Sequence, residues 1–217
     1  MQLDTNPQRT VKVSAPGTVA NLVCGFDVLG LCLNHPADEM QVTITGKSVI
    51  TISHTGEFPL PFDAAQNTAG AALLEIKKLL PAQTGFDIFI KKNINPGSGI
   101  GSSAASAAGA VVAANYLLGN PFTKEEMVQF ALFGEKAASG VKHADNVAPC
   151  IYGGITLIRS IFPVDIIRLS SPPLWVTVVH PQIEVRTADA RQILKKQVLL
   201  KDAIKQWGNI AGLVAGL

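Results

Sequence analysis

Short alternations of apolar and polar residues predict β-strands in the first half of the chain. These segments are VKVSA (11–15), MQVTITG (40–46), VITIS (49–53) and FDIFIKKNI (86–94). Alternation with a period of two is typical of a strand with one buried face. The Ala-Pro-Gly turn at 15–17 is expected to end the first strand, and the Gly-Lys-Ser turn at 46–48 to join the second and third strands in a β-hairpin.

Helix signals are interspersed with these strands in irregular order. Helices are predicted from Asn67 to Leu80, from Ser102 through the alanine block, from Thr123 to near Gly140, from Thr187 to about Val198, and from Asp202 to Leu217. Asn67 is a typical N-cap, and Glu126 completes a capping box with Thr123. Apolar runs at 151–160 and 174–180 predict further strands. This irregular mixture favours an α+β fold over repeated βαβ units.

Composition narrows the class of protein. The 217 residues are 47% hydrophobic and 16% charged, which is enough apolar material for a sizeable core. The net charge of +2, without basic runs and interleaved aromatics, argues against nucleic-acid binding. Three cysteines without a CxxC pair argue against a disulfide framework and a structural zinc site. Since there is no signal-peptide pattern and no apolar run of membrane-spanning length, we expect a cytoplasmic protein that does not bind membranes.

The segment NPGSGIGSSAASAAGA (95–110) places glycines directly before a strong helix signal. Gly97, Gly99 and Gly101 permit backbone angles that turn N–H groups toward one point, and a helix start attracts phosphate. A glycine turn before a buried helix explains the glycines equally well. The hydroxyls of Ser102 and Ser103 shift the balance toward the phosphate site, because a hydroxyl there can reach a phosphate-bound Mg²⁺ as well as cap the helix. The loop is not a Walker A motif, since no Lys-Ser/Thr pair follows.

Polar side chains at two other places are candidate site residues. Asn21 and Asp27 belong to the segment APGTVANLVCGFDVLG, where a carboxylate among apolar residues needs a partner or a ligand, or else caps a turn. Glu135 belongs to the capped helix that follows the alanine block. A helix carboxylate is normally solvated, but if Glu135 faces the glycine loop it would complete Mg²⁺ coordination with Ser103.

Two polar clusters follow further along the chain. His143, Asp145 and Asn146 belong to GVKHADNVAPCIYGG, expected to be a loop before a strand, which is a usual position for site residues. Simple turn chemistry also explains the Asp-Asn pair, and His143 alone fits a structural role. Arg186 and Arg191 flank a helix start in EVRTADAR, where a guanidinium suits a carboxylate, although surface arginines are common.

The order of these segments resembles a known family. APGTVANLVCGFDVLG, NPGSGIGSSAASA, HADNVAPCIYGG and HPQIEVRTADAR follow one another as in the homoserine kinases of the GHMP kinase superfamily. The glycine-serine loop is specific to the superfamily, and GFDxxG and HADNVAP point to homoserine kinase within it. The resemblance implies a GHMP kinase fold, with an N-terminal ribosomal protein S5 domain 2-like, ATP-binding domain over 1–170. Residues 171–217 would be the truncated beginning of a C-terminal ferredoxin-like α+β domain.

The resemblance implies transfer of the γ-phosphoryl group of ATP to the side-chain hydroxyl of L-homoserine, for threonine synthesis. It implies ATP as co-substrate, Mg²⁺ as cofactor and a homodimer. The residues implied to bind ATP are Asn67, Asn95, Pro96, Gly97, Ser98, Gly99, Ile100, Gly101, Ser102, Ser103, Ala104 and Ala105. Those implied to bind homoserine are Asn21, Asp27, Asp145, Asn146, Thr187 and Arg191, with Asp145 and Asn146 nearest the reacting hydroxyl as the catalytic residues. Those implied to hold Mg²⁺ are Ser103 and Glu135.

The chain departs from the wider superfamily at two points. Mevalonate-type relatives have a lysine where this chain has Thr18, and that lysine is a usual partner for an aspartate base. Its absence favours direct attack by the substrate hydroxyl, oriented by Asn146, without a dedicated strong base. The third glycine-rich motif of the superfamily does not follow Glu184, and the chain closes on the apolar AGLVAGL. We therefore expect either a fragment of a longer enzyme or a chain whose apolar end is covered by a partner surface elsewhere.

Other functions stay open at this point. A different GHMP kinase would act on another small alcohol, such as a mevalonate-pathway intermediate, but Thr18 and the GFDxxG segment argue against it. A nucleotide-binding fragment without catalysis is favoured by the missing third motif. A serine hydrolase fits poorly, because Ser102 and Ser103 lack a GxSxG elbow.

Overall fold

The computed structural model describes residues 9–179, 193–195 and 197–217. Its strands are β1 (Thr10–Ala20), β2 (Leu29–Thr45), β3 (Ile50–Thr55), β4 (Gly85–Lys91), β5 (Ile155–Ile161) and β6 (Val164–Leu169). Its helices are α1 (Thr68–Lys77), α2 (Ser102–Leu117), α3 (Lys124–Ser139), α4 (Ala144–Tyr152) and α5 (Leu200–Gly216). The irregular order of strands and helices confirms the predicted α+β class.

The strands form a mixed sheet in the order β3-β4-β2-β5-β6, and β1 pairs with β2 off this path. β2 is antiparallel to β1, β4 and β5, whereas β3 is parallel to β4. The predicted hairpin between 40–46 and 49–53 is therefore wrong, because β4 lies between β2 and β3. Phe86, Ile88 and Ile90 of β4 are all buried, so this strongly apolar strand takes an inner position and β3 takes the edge.

The first strand continues past the Pro16-Gly17 step, where the sequence predicts its end. The register of β1 against β2 shifts between Pro16 and Thr18. Since proline has no N–H for the ladder, a bulge at this point lets the strand continue. Beyond the bulge, Thr18 donates its backbone N–H to the Ile100 carbonyl at 3.1 Å. The extension of β1 therefore brings Thr18 to the glycine loop.

Helix α2 lies at the centre of the helical layer. It packs against α1, α3 and α4 and against strands β1 and β2. Its alanines and glycine permit this close packing, because a methyl group on Gly109 would lie only 2.9 Å from the Ala15 Cβ. Contact on so many sides holds the start of α2 in a defined position relative to the sheet.

Local start and stop signals agree well with the structure. Asn67 caps α1, and the Thr123–Glu126 capping box is present at the start of α3. Gly140 ends α3 with a φ of 78°, in the left-handed region that favours glycine. Helix α1 ends at Lys77, before the predicted end at Leu80. The helix predicted at the end of the chain is confirmed as α5.

Two predictions in the second half of the chain are wrong. The segment 140–154, expected to be a loop, contains α4, in which Val147, Ala148 and Pro149 are buried. Packing of these side chains offsets the poor helix propensity of proline. Residues 174–179, expected to be a strand, form neither helix nor strand. The edge of β5 away from β2 is already paired with β6, a strand that the sequence analysis missed.

The last part of the chain leaves some predictions open. The predicted helix from Thr187 begins outside the described residues, and the described positions 193–195 and 197–199 are not helical. The division into domains near residue 170 stays a prediction. Among the helices in the described ranges, none combines the length and the apolar character needed to cross a membrane.

Candidate active site

The glycine loop leads from Asn95 into the N-terminus of α2. Gly97, Gly99 and Gly101 have φ values of 79°, 78° and 68°, in the left-handed region that favours glycine. Gly101 occupies the N-cap position and supplies no side-chain oxygen, so the first N–H groups of α2 lack a side-chain cap. A helix start of this kind attracts anions. The structure thus arranges the predicted ATP-binding segment 95–105 around a single helix N-terminus.

The side chains at the start of α2 have different roles. Ser102 donates its hydroxyl to the Ile94 carbonyl at 2.9 Å, so it links the helix start to the chain just after β4. Ala104 and Ala105 are fully buried in the core, and the N–H of Ala105 already donates to the Gly101 carbonyl at 2.9 Å, so only the N–H of Ala104 is left for a phosphate. Ser103 is half-buried and hydrogen-bonds to Glu135 of α3. The remaining predicted ATP-binding loop residues are exposed or half-buried: Asn95, Pro96, Gly97, Ser98, Gly99 and Ile100.

Glu135, the partner of Ser103, is one of two buried carboxylates that influence each other. Glu135 is 6% exposed and Asp145, in the first turn of α4, is 4% exposed. Burial raises the pKa of Glu135 to about 7, with a further upward contribution from the charge of Asp145, while the Ser103 hydrogen bond acts to lower it. The Oε1 atom of Glu135 has no hydrogen-bond partner among the described residues. A cation at this point would therefore satisfy a buried oxygen.

This donor set fits Mg²⁺ in the presence of a nucleotide. Mg²⁺ takes one or two protein oxygens and completes its octahedron with phosphate oxygens and water. Ser103 and Glu135 supply a hydroxyl and a carboxylate at the start of α2, where phosphates are expected to bind. The described part of the chain contains no cluster of three or more acidic, histidine or cysteine side chains, so it offers no cage made of protein ligands alone.

A second hydrogen-bonded pair lies next to Gly101. Thr18 is fully buried, and its hydroxyl donates to Oδ1 of Asn146 at 2.8 Å. A methyl group on Gly101 would lie within contact distance of the Thr18 hydroxyl and 3.0 Å from Asn146 Oδ1. The loop backbone therefore touches both partners directly. The N-terminal ends of α2 and α4 meet at this pair, with Asp145 and Asn146 in the first turn of α4.

The segment between β1 and β2 is strained. Asn21, Leu22, Val23 and Asp27 all have positive φ, at 71°, 40°, 64° and 62°, although none is glycine. Residues in this region cost on the order of 1–3 kcal/mol each and persist where surrounding structure or function requires them. Asn21 Oδ1 accepts the backbone N–H of Asp27 at 2.9 Å, which closes the loop. The side-chain oxygen of Asn21, a residue predicted to bind substrate, is thus used in a hydrogen bond within the loop.

Asp27 projects from this loop toward α4. Its Oδ1 lies 3.8 Å from Nδ1 of His143, the residue at the N-cap position of α4. Protonated His143 would form an ion pair with Asp27 at this distance. The structure thus brings Asp27, His143, Asp145 and Asn146 together at one end of α4.

The other predicted site residues are Asn67, which makes local hydrogen bonds, and Thr187 and Arg191. Asn67 is 2% exposed, and its side chain accepts from the N–H groups of Ala69 and Gly70 and donates to the Pro61 carbonyl. Its amide is therefore engaged in capping α1. Thr187 and Arg191 lie outside the described residues.

Known proteins match nearly the whole chain. The GHMP kinases N terminal domain family matches residues 67–154. Homoserine kinase from Chloroherpeton thalassium is 46% identical over 216 residues, covering 94% of this chain and 68% of that protein. The chain belongs to the homoserine kinase family. Homoserine kinase from Methanococcus maripaludis (strain DSM 14266) is a more distant relative, 42% identical over 96% of the chain.

Solved structures agree with membership of the homoserine kinase family. The crystal structure of homoserine kinase from Cytophaga hutchinsonii matches with a TM-score of 0.85 and 44% identity, over 96% of this chain and 67% of that one. Mevalonate kinase from L. major matches with a TM-score of 0.60 at 20% identity, which shows a shared fold. These matches confirm the predicted GHMP kinase fold. The chain spans about two thirds of the length of the homoserine kinases that it matches.

In this member of the homoserine kinase family, one buried ion pair near the glycine loop was not predicted from the sequence. Asp38 and Lys92 form a buried ion pair next to Ser102. The sequence does contain a sign of the buried lysine. Lys92 occupies the next inward position of the alternating segment after Phe86, Ile88 and Ile90. Its buried acceptor, Asp38, lies in a polar stretch that suggests a loop, so the partner was not evident.

Proposed function

We propose that the chain carries the ATP- and homoserine-binding machinery of a homoserine kinase, which transfers the γ-phosphoryl group of ATP to the side-chain hydroxyl of L-homoserine. The observation that carries the proposal is the meeting of α2 and α4 at Gly101. There a helix N-terminus without a side-chain cap adjoins both Ser103 and the Thr18–Asn146 pair. This arrangement offers an anion site next to a polar group that suits a hydroxyl.

The ATP phosphates would bind in the glycine loop. Backbone N–H groups of the loop and of the first turn of α2, other than those of Ser98 and Ala105, would face the phosphate oxygens together with the positive end of the α2 dipole. Ser103 and Glu135 would hold Mg²⁺, which when bound neutralises charge on the triphosphate. The buried Oε1 of Glu135, which has no hydrogen-bond partner among the described residues, supports this role, and a bound cation would favour the ionised carboxylate against the upward effect of burial on its pKa.

L-Homoserine would bind between the 21–27 loop and the start of α4. Asp27 suits its ammonium group, with Asn21 holding the loop that carries Asp27. In our proposal Arg191 and Thr187 bind the carboxylate. Fixing both charged ends of a zwitterion aligns its hydroxyl with the γ-phosphate, and alignment supplies much of the rate in phosphoryl transfer.

The chemical step would be direct attack by the homoserine hydroxyl. A bond forms between this oxygen and the γ-phosphorus while the bond to the bridging β–γ oxygen breaks, which releases ADP. Asn146, held by Thr18, would orient the hydroxyl. The proton would leave to the transferred phosphate or to water. Asp145 would line the pocket rather than act as a strong base, because Thr18 offers it no cationic partner.

The wider setting follows from the family resemblance. We propose that O-phospho-L-homoserine made here enters threonine synthesis, and that the protein works in the cytoplasm as a homodimer without nucleic-acid or membrane partners. Three free cysteines support a reducing compartment. The balanced net charge of +2 supports the absence of a nucleic-acid partner.

The test is ATP consumption by the purified chain with Mg²⁺ and L-homoserine, with L-serine and mevalonate as alternative acceptors. Phosphorus NMR identifies the phosphorylated product. We expect ADP and O-phospho-L-homoserine to appear together and the other acceptors to react far more slowly. Preferred turnover of mevalonate would refute homoserine as the substrate. ATP-induced thermal stabilisation without turnover of any acceptor would identify a nucleotide-binding chain that does not catalyse the reaction alone.

A further inference from the structure

A buried ion pair lies at the base of the glycine loop. The side chains of Lys92, just after β4, and Asp38, on β2, are 2% and 0% exposed. The Lys92 ammonium donates to the Asp38 carboxylate, to the Ser102 carbonyl at 2.8 Å and to the Ser106 hydroxyl at 2.9 Å. Its three donors are thus matched by acceptors on β2 and on the first turns of α2.

Asp38 connects the same pair to the beginning of the loop. Its Oδ1 accepts the backbone N–H groups of Asn93 and Ile94, each at 2.8 Å, while Oδ2 accepts from Lys92. The hydroxyl of Ser102 donates to the Ile94 carbonyl, which links the two ends of the loop directly. The point where the chain leaves the sheet and the point where it enters α2 are therefore held by one charge pair.

Stability alone is a poor reason for this arrangement. The free energy lost by removing two charges from water offsets much of the free energy gained from their attraction. Well-packed apolar side chains often stabilise a core equally well. Burial lowers the pKa of Lys92, and the charge of Asp38 only partly opposes this. The neighbouring pair, Lys91 and Glu39, forms a 2.7 Å salt bridge at the surface. What sets the buried pair apart is its bonding to both ends of the loop.

We infer that the Asp38–Lys92 pair is the positioning group of the phosphate loop, an inference that rests on the proposed function. By holding Ile94 and Ser102, the pair sets the loop N–H groups in the geometry that receives the triphosphate before ATP arrives. Pre-organisation of this kind reduces the ordering cost of binding. Loss of the pair should therefore weaken MgATP binding and leave L-homoserine binding nearly unchanged.

The experiment compares Lys92→Met with the matched control Lys91→Met. Each change removes one ammonium group and keeps most of the apolar stem, but only the first breaks the links to α2. Titration calorimetry on the whole chain measures the dissociation constants of MgATP and L-homoserine. We expect Lys92→Met to weaken MgATP binding by about tenfold or more, because two hydrogen bonds to α2 are lost. The control should bind both ligands as the wild type does.

A double variant separates positioning from stability. Asp38→Asn combined with Lys92→Met removes both charges, while the asparagine amide oxygen still accepts from Asn93 and Ile94. We expect thermal stability to recover relative to Lys92→Met, and MgATP affinity to stay about tenfold low because Ser102 is still released. If Lys92→Met does not fold, Ser106→Ala removes one acceptor only, and it should weaken MgATP binding by about fivefold.

The possible results are distinct. Wild-type MgATP affinity in a folded Lys92→Met or double variant would overturn the inference and leave the proposed function intact. Equal losses of MgATP and L-homoserine affinity would also overturn it, because a general loosening of the fold produces that pattern. A wild-type chain that binds no MgATP would overturn the inference together with the proposed function.

Discussion

Replacing Gly101 by alanine tests the contact between the phosphate loop and the Thr18–Asn146 pair. Gly101 has a φ of 68°, and its new methyl group would press against the Thr18 hydroxyl and lie 3.0 Å from Asn146 Oδ1. Gly99 has a similar φ of 78°, but nothing lies within 4 Å of its added methyl group. Gly99→Ala therefore introduces backbone strain alone, whereas Gly101→Ala introduces the same strain and a steric overlap.

The two contributions have different sizes. An alanine in the left-handed region costs about 1–2 kcal/mol, and we expect this loss in both variants. Thr18 is fully buried, so the overlap at Gly101 has no easy relief, and overpacking adds about 1–3 kcal/mol. The displacement also reaches Asn146. A shift of about 1 Å at a substrate-positioning group lowers kcat by about 100-fold.

Urea unfolding measures the first effect, and homoserine-dependent ADP release measures the second. We expect Gly101→Ala to be less stable than Gly99→Ala and to lose most turnover, while Gly99→Ala keeps activity within about one order of magnitude. Equal losses of stability and of turnover in the two variants would refute the close contact with Thr18 and Asn146.

Three further predictions follow from the same geometry. The pKa of Glu135, about 7 in the folded chain against an ordinary 4.5, means that the folded state binds the proton more tightly. The free energy of unfolding without Mg²⁺ should therefore fall by about 3 kcal/mol as pH rises from 4.5 to 7, and Glu135→Gln should abolish this fall in urea titrations. Asp145→Asn should reduce kcat by no more than about 100-fold with binding intact, and a loss of many orders of magnitude would show that Asp145 is a strong base. Gly134→Ala should cost about 1–3 kcal/mol of unfolding free energy, because its methyl group would press on the Thr68 carbonyl; Gly208→Ala, which has open space, is the control.

Features that depend on adjacent residues, such as helix ends and the glycine loop, were predicted well from the sequence. Asn67, Thr123 and Gly140 mark helix ends through their own side chains or backbone angles. The glycine spacing before Ser102 likewise predicted a loop that opens into α2. These features depend on hydrogen bonds and torsion angles within a few residues, so distant parts of the chain have little influence on them.

Which segments pair or pack together was predicted poorly from the sequence. The alternation in 40–46 and 49–53 predicted both strands but not that β4 would lie between them. The polar residues His143, Asp145 and Asn146 favoured a loop at 140–154, where burial of Val147 and Ala148 stabilises α4. In each case a contact with a segment far away in sequence outweighs the local preference, and one chain read alone does not reveal such contacts.

The sequence by itself determined the order of motifs, the glycine loop and the helix caps, because short-range torsional and hydrogen-bonding preferences suffice for them. The tertiary structure alone decided that Glu135 is buried beside Ser103 and Asp145, that Thr18 holds Asn146, and that Lys92 meets Asp38. The pKa values of Glu135 and Lys92, and the hydrogen bonds of the other groups, depend on what surrounds them. Those surroundings exist only after helices and strands distant in sequence have packed together.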